Sequence, residues 1–400
     1  MSAGRISIPE LSSQKPLHVL TLTPFFPMQR DEAEGCFVAE PLSALAQLGV
    51  SNSVRAVQPF YRRGALVTDS AIQARRMRFF SLPGGWGLSS AGAFLFASLL
   101  PEIRSLHGSH PVDLIHAHSA LPCGHAASLL SRELKIPFVV TVHGLDAFST
   151  RQVEGRAGRW CASMSRSVYR SACSVICVSE RVRDQVIEGA SGRVNTAVVY
   201  NGVDPGMFSP PEREPDALMV LSVGNLIPIK GHDLLLRAFA AVQARLSGFS
   251  PTPSLEIIGD GPERARLQQL AQELGIAAIV HFRGRQSRRG VADAMRRATV
   301  FALPSNYEGL GCVYLEAMSS GKAVIACQGQ GIEEVIQPAV NGCLIEPGDL
   351  PALSDTLAAL LQQGELRKKI GNAARRTILQ GFTLEHQSAR LLQHYRECAT

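Results

Sequence analysis

Hydrophobic positions in this chain gather into short apolar runs separated by longer amphipathic stretches. In the first half the runs are His18–Thr23, Val54–Val57, Asp113–His116, Pro137–Val142, Ser174–Val178 and Ala197–Tyr200. In the second half they are Leu218–Val223, Ser254–Ile258, Ile279–Phe282, Ala298–Leu303 and Ala323–Ala326. Each has the length and bounding turn residues of a buried strand. Helices are expected between them, at Cys36–Leu48, Cys123–Arg132, from an N-cap at Ser179 through Ile187, and at His232–Leu246, Glu263–Leu274 and Val313–Gly321. Short strands alternating with helices in both halves predict an α/β protein with two parallel sheets, each covered on two faces. Asn201–Glu212 is turn-rich and without periodicity, so it reads as a linker. Thr383–Arg396 reads as a helix with no strand after it, expected to cross back to the first domain. The division that follows is a polar tail over 1–16, a first domain over 17–203, a second over 204–382, and a terminal helix over 383–400.

Four hundred residues suit two domains rather than one core, and 46% hydrophobic with 18% charged residues mark a folded chain. The most membrane-like stretch, Gly84–Pro101, is broken by glycines and serines and reads as a core helix. Met1–Pro16 lacks an apolar signal region. The nine cysteines are scattered singly with no C-x-x-C pair, and Cys173 and Cys177, though close, lack partners. Reduced, mostly buried thiols and a cytoplasmic location are therefore expected. The net charge of +6 changes the picture more. Arginines crowd the first half at Arg55, Arg62, Arg63, Arg75, Arg76 and Arg78, then at Arg151, Arg156, Arg159, Arg166 and Arg170. With no nucleic-acid module in the sequence, two readings of this basic face stay open, a solvated surface and one that meets anionic lipid.

The candidate chemistry centres on Glu308 and Glu316. They lie in Pro304-Ser-Asn-Tyr-Glu-Gly-Leu-Gly-Cys-Val-Tyr-Leu-Glu316, just after the Ala298–Leu303 run. The first carboxylate falls in a glycine loop and the second inside the following helix. Open α/β sheets bind ligands at such carboxyl ends of strands. Glycines admit an anion close to the backbone, and free N–H groups at a helix start favour phosphate. Glu316 is placed to accept ribose hydroxyls, and Glu308 to reach a sugar beyond a diphosphate.

Eight segments in register carry a family resemblance. They are Phe25-Phe-Pro27, Gly35, His116-Ala-His118, Thr141-Val-His-Gly-Leu-Asp146, Asn201-Gly-Val-Asp204, Val223-Gly-Asn-Leu-Ile-Pro-Ile-Lys-Gly231, Gly259-Asp-Gly-Pro262 and the paired-glutamate block. Over roughly residues 18–380 the chain resembles the retaining glycosyltransferases of family four. The resemblance implies the GT-B fold, two Rossmann-like domains with the active site in the cleft between them. It implies donor contacts from Gly35, Asn225, Lys230, Arg283, Gly284, Glu308, Gly309, Leu310, Gly311, Cys312 and Glu316, with the nucleobase held at the Arg283–Gly284 backbone. Lys230 would stabilise the leaving diphosphate, His143 would contact the transferred sugar without acting as a general base, and Asp146 would lie near the acceptor. The chain departs from the family at Asn225, where an arginine is usual, and Arg283 or Arg285 is the expected compensation. His116 and His118 are expected to be structural, because a metal site needs a third ligand and none has the spacing.

The implied reaction moves a sugar from a nucleotide-diphosphate sugar to an acceptor hydroxyl with retention. No carboxylate stands out as a nucleophile for double displacement, which favours front-face transfer. The sequence has no D-x-D, which agrees with a metal-independent enzyme that needs no cofactor. The expected acceptor is a saccharide, lipid-linked or part of a growing cell-surface polysaccharide, at the inner face of the plasma membrane. Competing readings are a sugar-nucleotide epimerase, a phosphorylase of the same fold, and a non-catalytic nucleotide-sugar binder.

Overall fold

A computed structural model describes residues 16–28, 33–61, 72–82, 87–147, 153, 155–215, 217–245 and 251–400. The expected tail over 1–15, Arg62, Arg63, Arg151, Leu246 and the start of Gly84–Pro101 lie outside the described residues. The chain divides into two compact units, one formed by residues 1–200 with 384–400 and the other by residues 201–383.

Unit 1 contains β1 (Leu17–Thr23), α1 (Cys36–Gln47), β2 (Val50–Pro59), β3 (Gln73–Phe79), α2 (Leu88–Ser109), β4 (Leu114–His118), α3 (His125–Leu134), β5 (Phe138–Val142), α4 (Gly155–Ser171), β6 (Ser174–Cys177), α5 (Glu180–Ala190) and β7 (Thr196–Val198). Its sheet runs β3-β2-β1-β4-β5-β6-β7, all parallel. Unit 2 contains β8 (Met219–Val223), α6 (His232–Arg245), β9 (Ser254–Ile258), α7 (Arg264–Glu273), β10 (Val280–Gly284), α8 (Arg288–Arg297), β11 (Val300–Ala302), α9 (Cys312–Ser319), β12 (Ala323–Cys327), β13 (Cys343–Ile345), α10 (Leu350–Gln362) and α11 (Gly364–Gly381). Its sheet runs β10-β9-β8-β11-β12-β13, again all parallel. In both sheets the order reverses beside the first strand, between β1 and β4 and between β8 and β11. That reversal opens a crevice at the carboxyl ends of those strands, where such folds place ligands.

The terminal helix α12 (Leu384–Ala399) belongs to unit 1, as its sequence suggested. Leu391, Leu392 and Tyr395 enter the core formed by Val19, Leu42, Leu45, Val54 and Val139. Its docking also overturns one expectation. Cys173 and Cys398 form a disulfide, with Cα atoms 5.9 Å apart, while the other seven cysteines form none. The partners are 225 residues apart in sequence, so no local spacing announces them. The inference of wholly reduced thiols, and of the compartment drawn from it, loses its support. Among the described residues no helix is long and apolar enough to cross a membrane.

The presumed linker is also more than a linker. Phe208 is fully buried in unit 2, and its carbonyl accepts from Ser319 Oγ at 2.7 Å and Arg375 Nη1 at 3.0 Å. A segment without periodicity is thus fastened to the end of α9 by polar contacts.

Candidate active site

In unit 2, Lys230 and Glu308 come from opposite sides of the β8/β11 switch. Lys230 ends a short 3-10 turn, Pro228–Lys230, after β8, and Glu308 lies in the loop after β11. The two segments are stitched together by backbone. Asn306 N–H donates to the Ile229 carbonyl at 2.8 Å, and Ser305 Oγ donates to the same oxygen at 3.1 Å. Gly231 makes this approach feasible. Its φ is +67°, and a Cβ there would stand 2.1 Å from the Pro304 carbonyl oxygen. The result is an ion pair, Lys230 Nζ to Glu308 Oε1 at 2.6 Å, largely withdrawn from water. From the other side, Gln330 Oε1 accepts from Glu308 N–H at 2.9 Å and Gly331 N–H donates to the Glu308 carbonyl at 3.2 Å. Gln330 is a loop-fixing residue that the sequence reading did not identify.

Eight residues on, Glu316 lies in α9. That helix starts at Gly311, with φ +85° and no side-chain cap, so its first turn follows directly on Gly309, Leu310 and Gly311. Leu310 is buried, and Tyr314 OH fixes the helix start by donating to the Leu303 carbonyl at 2.7 Å. Glu316 is only 2% exposed. Its Oε1 accepts from Arg288 Nη1 at 2.6 Å, while Oε2 is buried with no partner. Arg288 was missed in the sequence. Breaking such a buried pair by removing one member typically costs about 3–5 kcal/mol, so the pair constrains the site as well as decorating it.

Arg283, the expected compensation for Asn225, has a partner of its own on the sheet. Asn225 is exposed in the loop after β8. The Arg283 guanidinium bonds Glu256 on the adjacent strand at 3.1 Å, and Arg297 reaches the same carboxylate at 3.3 Å. A buried acid on β9 draws both cations, so Arg283 serves the sheet edge. Gly284, with φ +69°, closes β10, and its carbonyl accepts from Gly259 N–H at 2.9 Å. The Gly259-Asp-Gly-Pro262 turn is tied back to the β8 loop, where Leu226 N–H donates to the Asp260 carbonyl at 3.0 Å.

In unit 1 three histidines converge at the ends of β4 and β5. His118 Nδ1 and His143 Nε2 are 3.0 Å apart and their rings stack, while the His116 ring lies tilted against His118 with centroids 4.3 Å apart. His116 is held at both nitrogens, by Tyr395 OH of α12 at 2.6 Å and Thr141 Oγ1 at 2.7 Å. His143 is also wedged between Phe25 and Phe37 at the β1–α1 connection. Gly35 caps α1 there at φ +78°, so close to Phe26 that a Cβ would lie 2.4 Å from its backbone nitrogen. Burial lowers His116 and His143 to about 3 and His118 well below the usual imidazole range. All three are neutral near pH 7, and burial leaves His143 a weak base, suited to hydrogen bonding more than to proton abstraction. The structural reading of His116 fits its two-sided anchoring. Among the described residues, no group of three or more His, Cys, Asp or Glu side chains is arranged to hold a metal ion.

Asp146 Oδ1 accepts from His143 N–H at 2.8 Å, and its Oδ2 is buried without a partner. Burial raises its carboxyl to about 6, against the pull of backbone N–H groups at His143, Asp146 and Gly144. The folded state therefore holds a proton that the unfolded state has lost between about pH 4 and pH 6. Stability from this group is present at the acid end and falls as pH rises through 6, by on the order of 3 kcal/mol. The depressed histidines act oppositely, costing stability as pH falls below about 6.5. The difference between wild type and Asp146→Asn isolates the carboxyl. In denaturant titrations the variant should gain on wild type between pH 4 and 6 and hold a constant advantage above. A flat difference would show that Asp146 is not strained by burial.

Two parallel doubly wound sheets, each with polar side chains gathered at its switch point, define the GT-B class of α/β fold. Solved structures agree. Sucrose-phosphate synthase from Thermosynechococcus elongatus superposes with a TM-score of 0.75 at 21% identity, over 95% of this chain and 98% of that one. HepE of Anabaena, solved in complex with UDP, gives 0.71 at 20% identity, over 95% of this chain and all of that one. Residues 207–377 match the family model for glycosyl transferases group 1, and residues 38–206 match that for glycosyltransferase family 4. An uncharacterised glycosyltransferase of Methanocaldococcus jannaschii is 31% identical over 67% of this chain and 71% of its own length. N-acetyl-alpha-D-glucosaminyl L-malate synthase of Bacillus anthracis is 28% identical over 68% of this chain and 72% of its own. The chain belongs to the family 4, group 1 glycosyltransferases, and its enzymatic class is glycosyl transfer.

Proposed function

We propose that the enzyme transfers a sugar from a nucleotide-diphosphate sugar to a lipid-linked saccharide, with retention and without a metal ion. The observation that carries this reading is the Lys230–Glu308 pair beside the uncapped start of α9. An ammonium and a helix N-terminus together match a leaving diphosphate, and a carboxylate alongside matches the hydroxyls of the sugar attached to it. HepE, of the same fold, binds UDP-glucose, which is the donor chemistry proposed here. Front-face attack then needs orientation and charge stabilisation from the protein, with the diphosphate taking the acceptor proton. Three incubations test the reaction: donor alone, donor with phosphate, and donor with a polyprenyl-diphosphate saccharide. Turnover only in the third, giving a product of unchanged anomeric configuration in the presence of EDTA, is the expected result. Turnover in the first would indicate an epimerase or hydrolase, and in the second a phosphorylase.

Support for a lipid-borne acceptor comes from unit 1. Phe60, Phe80 and Phe94 are each about half exposed and lie in mutual contact, with Phe60–Phe80 centroids at 5.8 Å and Phe80–Phe94 at 5.2 Å. Leu82 and Tyr61 are exposed beside them in sequence. Monomeric surfaces seldom present such contiguous aromatic area without a partner. Unit 1 also carries the entire formal excess of +6, while acidic and basic residues balance in unit 2. A cationic unit with exposed aromatics suits an anionic bilayer. Co-sedimentation with phosphatidylglycerol vesicles at low salt should show binding, and the F60S/F80S/F94S triple variant should lose at least about tenfold in partitioning, given the area each ring would bury. Equal sedimentation of the two proteins would remove the membrane from the proposal and favour a small soluble acceptor.

A further inference from the structure

We propose that Arg288 sets the position of the Glu316 carboxylate so that its second oxygen accepts a ribose hydroxyl, which makes Arg288 a positioning residue that selects ribonucleotides over deoxyribonucleotides. The inference rests on the reading of unit 2 as the nucleotide-sugar site.

Glu316 stands in a helix whose residues Tyr314 to Ser319 are all buried. One carboxylate oxygen is engaged by Arg288 and the other, Oε2, has no donor. A buried acceptor left without a donor is costly, and native proteins leave few of them. A ligand hydroxyl arriving at Oε2 would supply what the fold omits. The carboxylate is not at liberty to turn, because its partner is itself fixed. Arg288 is the first residue of α8, whose N-cap Ser287 accepts from Gly290 N–H at 3.1 Å. The guanidinium lies over the Phe208 ring, 4.8 Å from its centroid. Phe208 in turn is bonded through its carbonyl to Ser319 at the end of the helix that bears Glu316. Arg288, Phe208 and α9 thus close a ring of contacts around the carboxylate. A planar guanidinium held on two sides can fix the plane of its partner, and a lysine ammonium cannot. A nucleotide lacking the hydroxyl would leave Oε2 orphaned again, and sites built to bond a substrate hydroxyl reject analogues without it.

The test uses the full chain and isothermal titration. UDP, GDP and ADP are compared first, and the tightest binder is then set against its 2′-deoxy and 3′-deoxy forms. Wild type should prefer the ribonucleotide by at least about tenfold over one deoxy form, and R288K should reduce that ratio to about threefold or less by weakening the ribonucleotide alone. E316Q should do the same, and R288K/E316Q should be no worse than E316Q. If R288K weakens the ribo and deoxy forms alike and leaves the ratio intact, Arg288 is merely structural and the proposal is overturned. A wild type without ribose preference, or an E316Q variant that keeps it, sinks the assignment of Glu316 instead. Binding of none of the three nucleotides sinks the reading of the site. Should R288K fail to fold, R288M/E316Q removes both charges together and is compared with E316Q. An equal ratio supports action through the carboxylate, and a further loss refutes it.

Discussion

Lys230→Ala is expected to lower kcat by about two to three orders of magnitude, the loss seen when a preorganised donor to a developing oxyanion is removed. The expectation follows from where the charge appears. Negative charge on the leaving diphosphate grows as the glycosidic bond breaks, so an ammonium beside it binds the transition state better than the ground state. The loss should therefore fall on kcat more than on KM. The backbone stitches through Ile229, Asn306 and Ser305 do not involve the Lys230 side chain, so the turn should persist in the variant. Lys230→Arg keeps the charge but offers Glu308 a two-pronged partner, and it should recover only part of the rate. A variant with raised KM and unchanged kcat would show that Lys230 contributes only uniform binding.

Glu308→Gln should move two quantities in opposite directions. Glu308 holds Lys230 at 2.6 Å, so on the proposed reading a diphosphate competes for the ammonium and meets a carboxylate nearby. Neutralising that carboxylate removes both obstacles. At about 6 Å and an effective dielectric between 20 and 80, one unit charge is worth about 0.7–2.8 kcal/mol, so the nucleoside diphosphate should bind about three- to a hundredfold more tightly. Turnover should fall by on the order of a hundredfold, because the same group is assigned to orient the transferred sugar. Tighter product and slower chemistry together identify Glu308 as both a sugar contact and a counterweight that eases product release. Weaker nucleotide binding in this variant would contradict the pairing.

What could be read from the sequence depended on whether the physics was local. Parallel strands buried on both faces are continuous apolar runs, and β5, β8, β9 and β12 stand where those runs predict. The edge strand β3 was invisible because Gln73-Ala-Arg-Arg-Met-Arg-Phe79 carries three arginines, as edges often do to discourage pairing. Lys230, Glu308 and Glu316 were found through their spacing from strand ends. Arg288 was not, since it sits among Arg283, Arg285 and Arg289 in what looks like a solvated basic stretch. Its partner is 28 residues away, and only Ser287, a helix-start residue, hints that the next side chain has a fixed direction. Cys398 and Tyr395 were illegible for the same reason, because their partners Cys173 and His116 are brought to them only when the terminal helix docks.

That docking has a topological consequence. Unit 2 is an insertion, entered after Tyr200 and left before Leu384, within a chain that otherwise completes unit 1. The two ends of the insertion are bonded to each other, since Val203 N–H donates to the Phe382 carbonyl at 3.0 Å and Val203 pairs with Thr383. Residues 201–383 therefore form a cassette with adjacent termini, the property that lets a segment be excised or transplanted. The N-terminal portion has no such autonomy. A fragment stopping at residue 200 would forfeit Leu391, Leu392 and Tyr395 from its own interior, and with them the hydroxyl that anchors the imidazole cluster.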